Sequence, residues 1–283
     1  MILVTGAAGK TGRAVIRALA AREIPVRAWI FREAQRGQVQ GATDWVVGDL
    51  LDPGIWPRAL EGVQAVYLIF PNLHPEEQAM GERALAQMAR AQVPRVVYHS
   101  VLHPQTEEMP HHWRKLRVEE ALFRSGLGFT VLQPCAYMQN LLPYLDRVLR
   151  EGVYAVPYGP RARISMVDLE DVAQVAARVL TEPGHLGAIY ELAGPEPLSP
   201  ADVARHLALI LGKPVKAWEL SLVDWELGAR QAGLTNQAVA TLKAMFRYYN
   251  AYGFWGNPNV LGWLLEREPV SLQAFLRREL GGG

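Results

Sequence analysis

Gly6, Gly9 and Gly12 stand three residues apart directly behind the apolar run Ile2-Leu3-Val4. The run suits a buried strand, and Val15, Ile16 and Leu19 fall on one face of the segment behind it, as in a helix packed on a sheet. In a strand–turn–helix of this kind the first glycine permits a tight turn. The second lets backbone approach a phosphate, and the third lets helix and strand close together. The helix then offers unpaired N–H groups and the positive end of its dipole to an anion. Such a turn holds a dinucleotide pyrophosphate, and Gly6, Gly9, Lys10, Thr11 and Gly12 are its expected contacts. Gly9-Lys10-Thr11 also imitates the phosphate loop of nucleoside triphosphatases, but that loop needs glycine where Val4 stands.

The second strand, Val26 to about Ile30, ends roughly 20 residues beyond the glycines, where NAD proteins place a carboxylate on the ribose 2′-hydroxyl. Here Phe31 and Arg32 occupy that place. A guanidinium clamps a 2′-phosphate bidentately, so NADP(H) is the expected cofactor, with NAD(H) as the alternative. The other reading of Arg32 is a solvated surface arginine.

Further candidates lie where later strands end: Asp49-Leu50, Phe70-Pro71, His99-Ser100 and Gln133-Pro134. Asp49 either bonds the adenine amine or caps a turn. Ser100 either orients substrate or cofactor or simply closes its strand, and Tyr137 is a candidate wall of the site. In His111-His112-Trp113-Arg114-Lys115 a histidine precedes a lysine by four residues, hence on one helical face. His111 is either a proton donor near neutral pH or half of an exposed pair at a helix start. Tyr-x-x-x-Lys, the proton-passing pair of ordinary short-chain dehydrogenases, occurs nowhere in the chain. Cys135, without a partner base or metal-ligand spacing, reads as a small buried residue.

These residues need a scaffold, and strand-like and helix-like segments alternate as a parallel sheet requires. Strands are predicted near 2–5, 26–30, 43–47, 65–69, 95–99 and 129–132, with helices over 76–92 and 113–125. After Gln133 proline, glycine and aromatics thicken; a helix over 168–180 and a strand over 188–193 follow. Ser199-Pro200-Ala201-Asp202 caps a further helix, and the rest is mostly helical. The expected architecture is α/β: a Rossmann doubly wound parallel sheet with a smaller, mostly helical C-terminal substrate domain. Residues 1–135 form the nucleotide-binding domain, with 164–193 returning to it; 136–163 and 194–283 form the substrate domain. Aromatics crowd 245–256, suited to an aromatic-substrate pocket, interdomain core or a dimer patch. Trp218, Trp225 and Trp263 read as core.

Half of the 283 residues are apolar, enough for a large core, and the formal net charge is +1. No basic run suggests nucleic acid as a partner, and a single cysteine excludes a disulfide framework and a multi-cysteine metal site. No apolar run approaches membrane-spanning length, and the first strand begins at Ile2 where a signal peptide would need a charged start. A cytoplasmic monomer or homodimer acting on a small molecule is expected, with no metal.

The segments Val4–Arg13, Val26–Arg32, Gly48-Asp49-Leu50, Val97–Val101, the helix with Lys115 and Val118-Glu119, Gln133–Asn140 and Val167–Ala173 together resemble the NmrA-like family of atypical short-chain dehydrogenases/reductases. The resemblance spans roughly residues 1–215. It implies that Lys115 contacts the nicotinamide ribose, and that hydride passes to a small quinonoid or aromatic acceptor. Such an acceptor spreads the incoming charge itself, so a strong protein acid is dispensable. The family also holds cofactor-binding regulators, so a non-catalytic NADP(H) redox sensor is the alternative; an isomerase using bound cofactor ranks third.

Overall fold

The computed structural model describes residues 1–281. In chain order the first elements are β1 (Ile2–Val4), α1 (Lys10–Ala20), β2 (Val26–Ile30), β3 (Asp44–Val47), α2 (Trp56–Leu60) and β4 (Ala65–Leu68). Next come α3 (Glu77–Arg90), β5 (Val96–His99), α4 (Pro110–Arg124), β6 (Phe129–Pro134), β7 (Ala136–Tyr137), α5 (Leu142–Glu151) and β8 (Val153–Val156). Then follow β9 (Ile164–Val167), α6 (Leu169–Thr181), β10 (Ala188–Leu192), β11 (Pro197–Leu198), α7 (Pro200–Leu211) and β12 (Lys216–Glu219). Four helices close the described chain: α8 (Leu222–Gln231), α9 (Asn236–Tyr252), α10 (Asn259–Leu265) and α11 (Leu272–Glu279).

Two compact units result. The first comprises Met1–Gln105, His111–Gln133 and Leu169–Tyr190; the second comprises Thr106–Pro110, Pro134–Asp168 and Glu191–Gly283, of which Gly282 and Gly283 lie outside the described residues. The returning segment expected over 164–193 is thus Leu169–Tyr190, because β9 pairs with β7 and β11 in a separate three-stranded sheet.

The seven-stranded sheet has the order β10-β6-β5-β4-β1-β2-β3, and the pairings from β6 through to β3 are parallel. The reversal of strand order at β1 and β4 opens a crevice at their carboxyl ends, where α/β sheets bind ligands. Leu3, Val66, Leu68, Val96 and Val131 form one core with Leu60 of α2, Met80, Leu85 and Met88 of α3, and Val118 and Leu122 of α4. The alternate strand residues Val4, Tyr67 and Val97 are equally buried, so the sheet is covered on both faces. On that other side α1 and α6 pack on each other, and α6 packs on β4 and β5. This is the doubly wound α/β fold expected from the sequence.

In the second unit Phe246, Tyr249 and Phe254 of the aromatic run are buried, with Tyr158 against the first two rings. Two tryptophans expected in the core are outside it: Trp218 is 61% and Trp263 73% exposed. Trp218 lies on β12, which forms a two-stranded sheet with β8, and Trp263 is on the seven-residue α10, whose buried residue is Leu261. Trp225 is half-buried, edge-on to Phe246 at 4.8 Å.

Candidate active site

The glycine turn is built for close approach. Gly6 has φ +57°, a left-handed conformation that a β-carbon disfavours. A β-carbon on Gly12 would lie 2.4 Å from the Gly6 carbonyl oxygen and 2.8 Å from Ala7 Cα, so α1 is seated directly on the turn. Thr5 ties β1 to the end of β4, its hydroxyl both accepting from the Ile69 N–H and donating to the Ile69 carbonyl at 2.8 Å. Gly9 caps α1 in an extended conformation and the first helical turn carries no acidic residue, so the positive helix end keeps its charge for an anion. Gly9 and Lys10 are exposed there, while Thr11 and Gly12 are buried. Bare backbone, a left-handed glycine and an exposed lysine fit a pyrophosphate.

At the end of β2, Phe31 and Arg32 are both exposed, and the Arg32 guanidinium lies 5.3 Å from the Phe31 ring centre. Gln35 fixes the turn, its Oε1 accepting from the N–H groups of Phe31 and Arg32 at 2.9 Å. Arg36, which the sequence reading passed over, pairs with Glu33 at 2.8 Å and lies over the Trp45 ring at 5.0 Å. Asp49 Oδ1 accepts from the Leu51 N–H at 2.9 Å, the turn-making alternative for this residue. Leu50 packs against the core while its carbonyl accepts from the Trp56 indole at 3.1 Å. Phe70 is buried against Tyr98, ring centres 6.3 Å apart, and Pro71 is exposed.

The buried polar cluster lies between α3, α4 and the end of β5. Helix α4 begins at Pro110, three residues before the predicted start, so His111 and Lys115 share a helical face with Val118, Glu119 and Leu122, all buried. Lys115 Nζ donates to Glu77 Oε1 at 2.6 Å; Glu77, in the first turn of α3, is fully buried. The Tyr98 hydroxyl donates to the same oxygen at 3.3 Å, and Lys115 Nζ stands 6.0 Å from the Tyr98 ring centre. Burial, reinforced by Glu77 and Glu119, holds the Tyr98 phenol well above its usual range, so it stays protonated. Helices α3 and α4 approach closely because Gly81 faces Val118, whose methyls would lie 2.6 and 2.7 Å from a β-carbon there.

One turn beyond Lys115, Glu119 accepts from the Ser100 hydroxyl and from Gln133 Nε2, the latter at 3.0 Å to each oxygen. Burial raises the Glu119 carboxyl; the bonds from Ser100 and Gln133 oppose it. Ser100, read as a residue to orient substrate or cofactor, therefore spends its proton on Glu119. On the opposite face of the sheet His99 bonds the Tyr67 hydroxyl. Burial, then the Lys115 charge, lowers His99 to about 3. Burial lowers His111 to about 2 and His112 to about 3, with Lys115 among the opposing charges in both cases. The His111 ring is therefore neutral, and its buried Nδ1 has no hydrogen-bond partner.

In the second unit Pro134 is buried and Tyr137 is half-buried before the short helical turn Met138–Leu141. Asp168, fully buried, accepts from Gln139 at 2.7 Å and from both terminal nitrogens of Arg278, at 2.7 and 3.2 Å. Cys135 is buried and its thiol is pushed up to about 12, an inert state. Among the described residues no helix is long and apolar enough to cross a membrane.

The chain is 32% identical over 225 residues to an NAD(P)H azoreductase of Xenophilus azovorans, covering 78% of each chain. It is 29% identical over 238 residues to quinone oxidoreductase 2 of Escherichia coli K12, covering 83% of this chain and 82% of the relative. The crystal structure of an NADPH-dependent quinone oxidoreductase from Escherichia coli, complexed with NADPH, superposes with a TM-score of 0.87 at 26% identity, covering 99% of this chain and all of the other. The model of the NmrA-like family matches residues 1–273, and the chain belongs to that family.

Proposed function

We propose that this protein is an NADP(H)-dependent reductase whose acceptor is a small quinonoid or aromatic molecule. The observation that carries the reading is the buried Lys115 ammonium without a phenol four residues before it: a site able to fix a ribose but lacking a ready acid. Relatives named as azo and quinone reductases support it. Bound NADPH would supply the hydride. Gly6, Gly9, Lys10, Thr11 and Gly12 bind its phosphates, Arg32 takes the 2′-phosphate, and Asp49, Leu50, Phe70 and Pro71 border the nucleotide. Lys115 orients the nicotinamide ribose. Pro134 and Tyr137, together with the second unit as a substrate domain, belong to the same reading. His111, neutral at working pH, leaves protonation of the product to water, which suits an acceptor that delocalises negative charge.

The test is NADPH consumption against a panel of benzoquinones, naphthoquinones, azo and cationic dyes, enones and simple aldehydes. Turnover concentrated on quinones and dyes is expected. If NADPH binds and no panel member is reduced, the reductase reading fails.

A further inference from the structure

We propose that Glu77 is a positioning residue for Lys115: its buried carboxylate holds the side-chain nitrogen in the place that the reductase site uses. This rests on the reading that Lys115 orients the nicotinamide ribose.

Three elements converge on one atom. Glu77 comes from the first turn of α3, Lys115 from α4 and Tyr98 from β5, and both donors meet at Glu77 Oε1, at 2.6 and 3.3 Å. Gly81, one turn after Glu77, lets α3 close onto Val118, less than one turn after Lys115, so the backbone itself sets the contact. A buried ion pair is a poor stabilising device, because desolvation of both charges offsets their attraction and an apolar pair of similar volume often does as well. Here the carboxylate has no exposure at all, and its second oxygen, Oε2, is buried without a hydrogen-bond partner. Such an arrangement serves the lysine rather than the core.

The surroundings show what the carboxylate must counter. Lys115 is faced by Glu77 from α3, by Tyr98 and His99 from β5, and by His111, His112, Arg114 and Glu119 along α4. Tyr98 and the three histidines are neutral, and Arg114 is a like charge. Glu119 is engaged by Ser100 and Gln133, which leaves Glu77 as the anion in contact. Remove its charge and the buried Nζ loses both the acceptor that aims it and the charge that balances it.

The experiment compares Glu77→Gln, Glu77→Asp, Lys115→Met and the double variant Glu77→Gln/Lys115→Met with the unmodified protein. The readouts are kcat/KM with a benzoquinone, NADPH affinity by calorimetry, and acetylation of Lys115 in cofactor-free protein by mass spectrometry. Glu77→Gln should lower kcat/KM roughly tenfold or more, because Nζ is no longer aimed. NADPH affinity should weaken in parallel, and Lys115 acetylation should rise several-fold, because the amine is no longer held on the carboxylate. Glu77→Asp, which keeps the acceptor and its charge, should restore much of both. The double variant should be no less active than Lys115→Met, since Glu77 acts only through the amine. If Glu77→Gln folds poorly, the neutralised double variant decides: a loss well beyond that of Lys115→Met overturns the proposal. Unchanged kcat/KM and acetylation rate in a folded Glu77→Gln, with Lys115→Met inactive, overturn the Glu77 assignment alone. An active Lys115→Met with unaltered NADPH affinity overturns the Lys115 reading, and the proposal with it.

Discussion

Burial has removed the histidines beside the candidate site from the range in which histidine ordinarily titrates. His111, at about 2, is neutral at every pH at which the enzyme would work. The kcat/KM profile for a quinone should therefore show no ionisation near 6.5, and His111→Asn should leave its shape unchanged. A limb near 6.5 that disappears in His111→Asn would return the ring to the role of proton donor. Lys115 stands out in the sequence because lysine is scarce in this chain, and the helical face implied by its spacing from His111 is the buried face of α4. Glu77 does not: it lies 38 residues from its partner, and an acid in the first turn of a helix already has a local reason to be there. Trp218 and Trp263 failed for a related reason, since size and apolarity favour burial but do not reveal whether a covering element exists.

At the scale of elements, the glycine turn separates two effects that the motif alone merges. Gly12→Ala drives a β-carbon into the backbone of Gly6 and Ala7, whereas on Gly9 the nearest atom, the Gly6 carbonyl oxygen, would be 3.2 Å away. We expect Gly12→Ala to lower the melting temperature markedly and to lose NADPH binding with it. Gly9→Val should stay folded and lose only the binding, through its collision with the pyrophosphate. A Gly9→Val variant with retained calorimetric affinity would mean the turn is structural only. At the next turn, Arg32→Ala should reduce the preference for NADPH over NADH, by about 1.5–3 kcal/mol for a charge-assisted bond. Equal affinities for the two cofactors in the unmodified protein would dismiss Arg32 as a selector. The strands and the long helices were legible because buried parallel strands are short apolar runs and their covering helices carry a periodic face. The start of α4 was not, since His111 and His112 read as polar although both are buried.

For the whole molecule, His99, His111 and His112 couple stability to acid. Their folded values, about 3, 2 and 3, lie below the ordinary 6.5, so below 6.5 the unfolded chain binds the extra protons. Stability is then full above 6.5 and falls as pH drops toward 3, each ring contributing up to about 1.4 kcal/mol per pH unit. Glu119, raised by burial, works in the opposite sense: it favours the fold when protonated and loses that contribution as pH rises through its folded value. The urea midpoint should therefore be level between about pH 7.5 and 9 and fall steadily from 6.5 to 5. A midpoint unchanged at pH 5 would contradict burial of these rings. The division into units has a consequence for synthesis. The chain passes between the two units five times, and the first is completed only by Leu169–Tyr190. Helix α6 covers part of β4 and β5 and packs on α1, yet the ribosome delivers it after residues that belong elsewhere. During elongation, at about 5–20 residues per second, the glycine turn exists for several seconds beside the part of β4 and β5 that α6 will cover. The nascent protein is most exposed to aggregation in that interval, and a gene truncated near residue 135 would make the interval permanent.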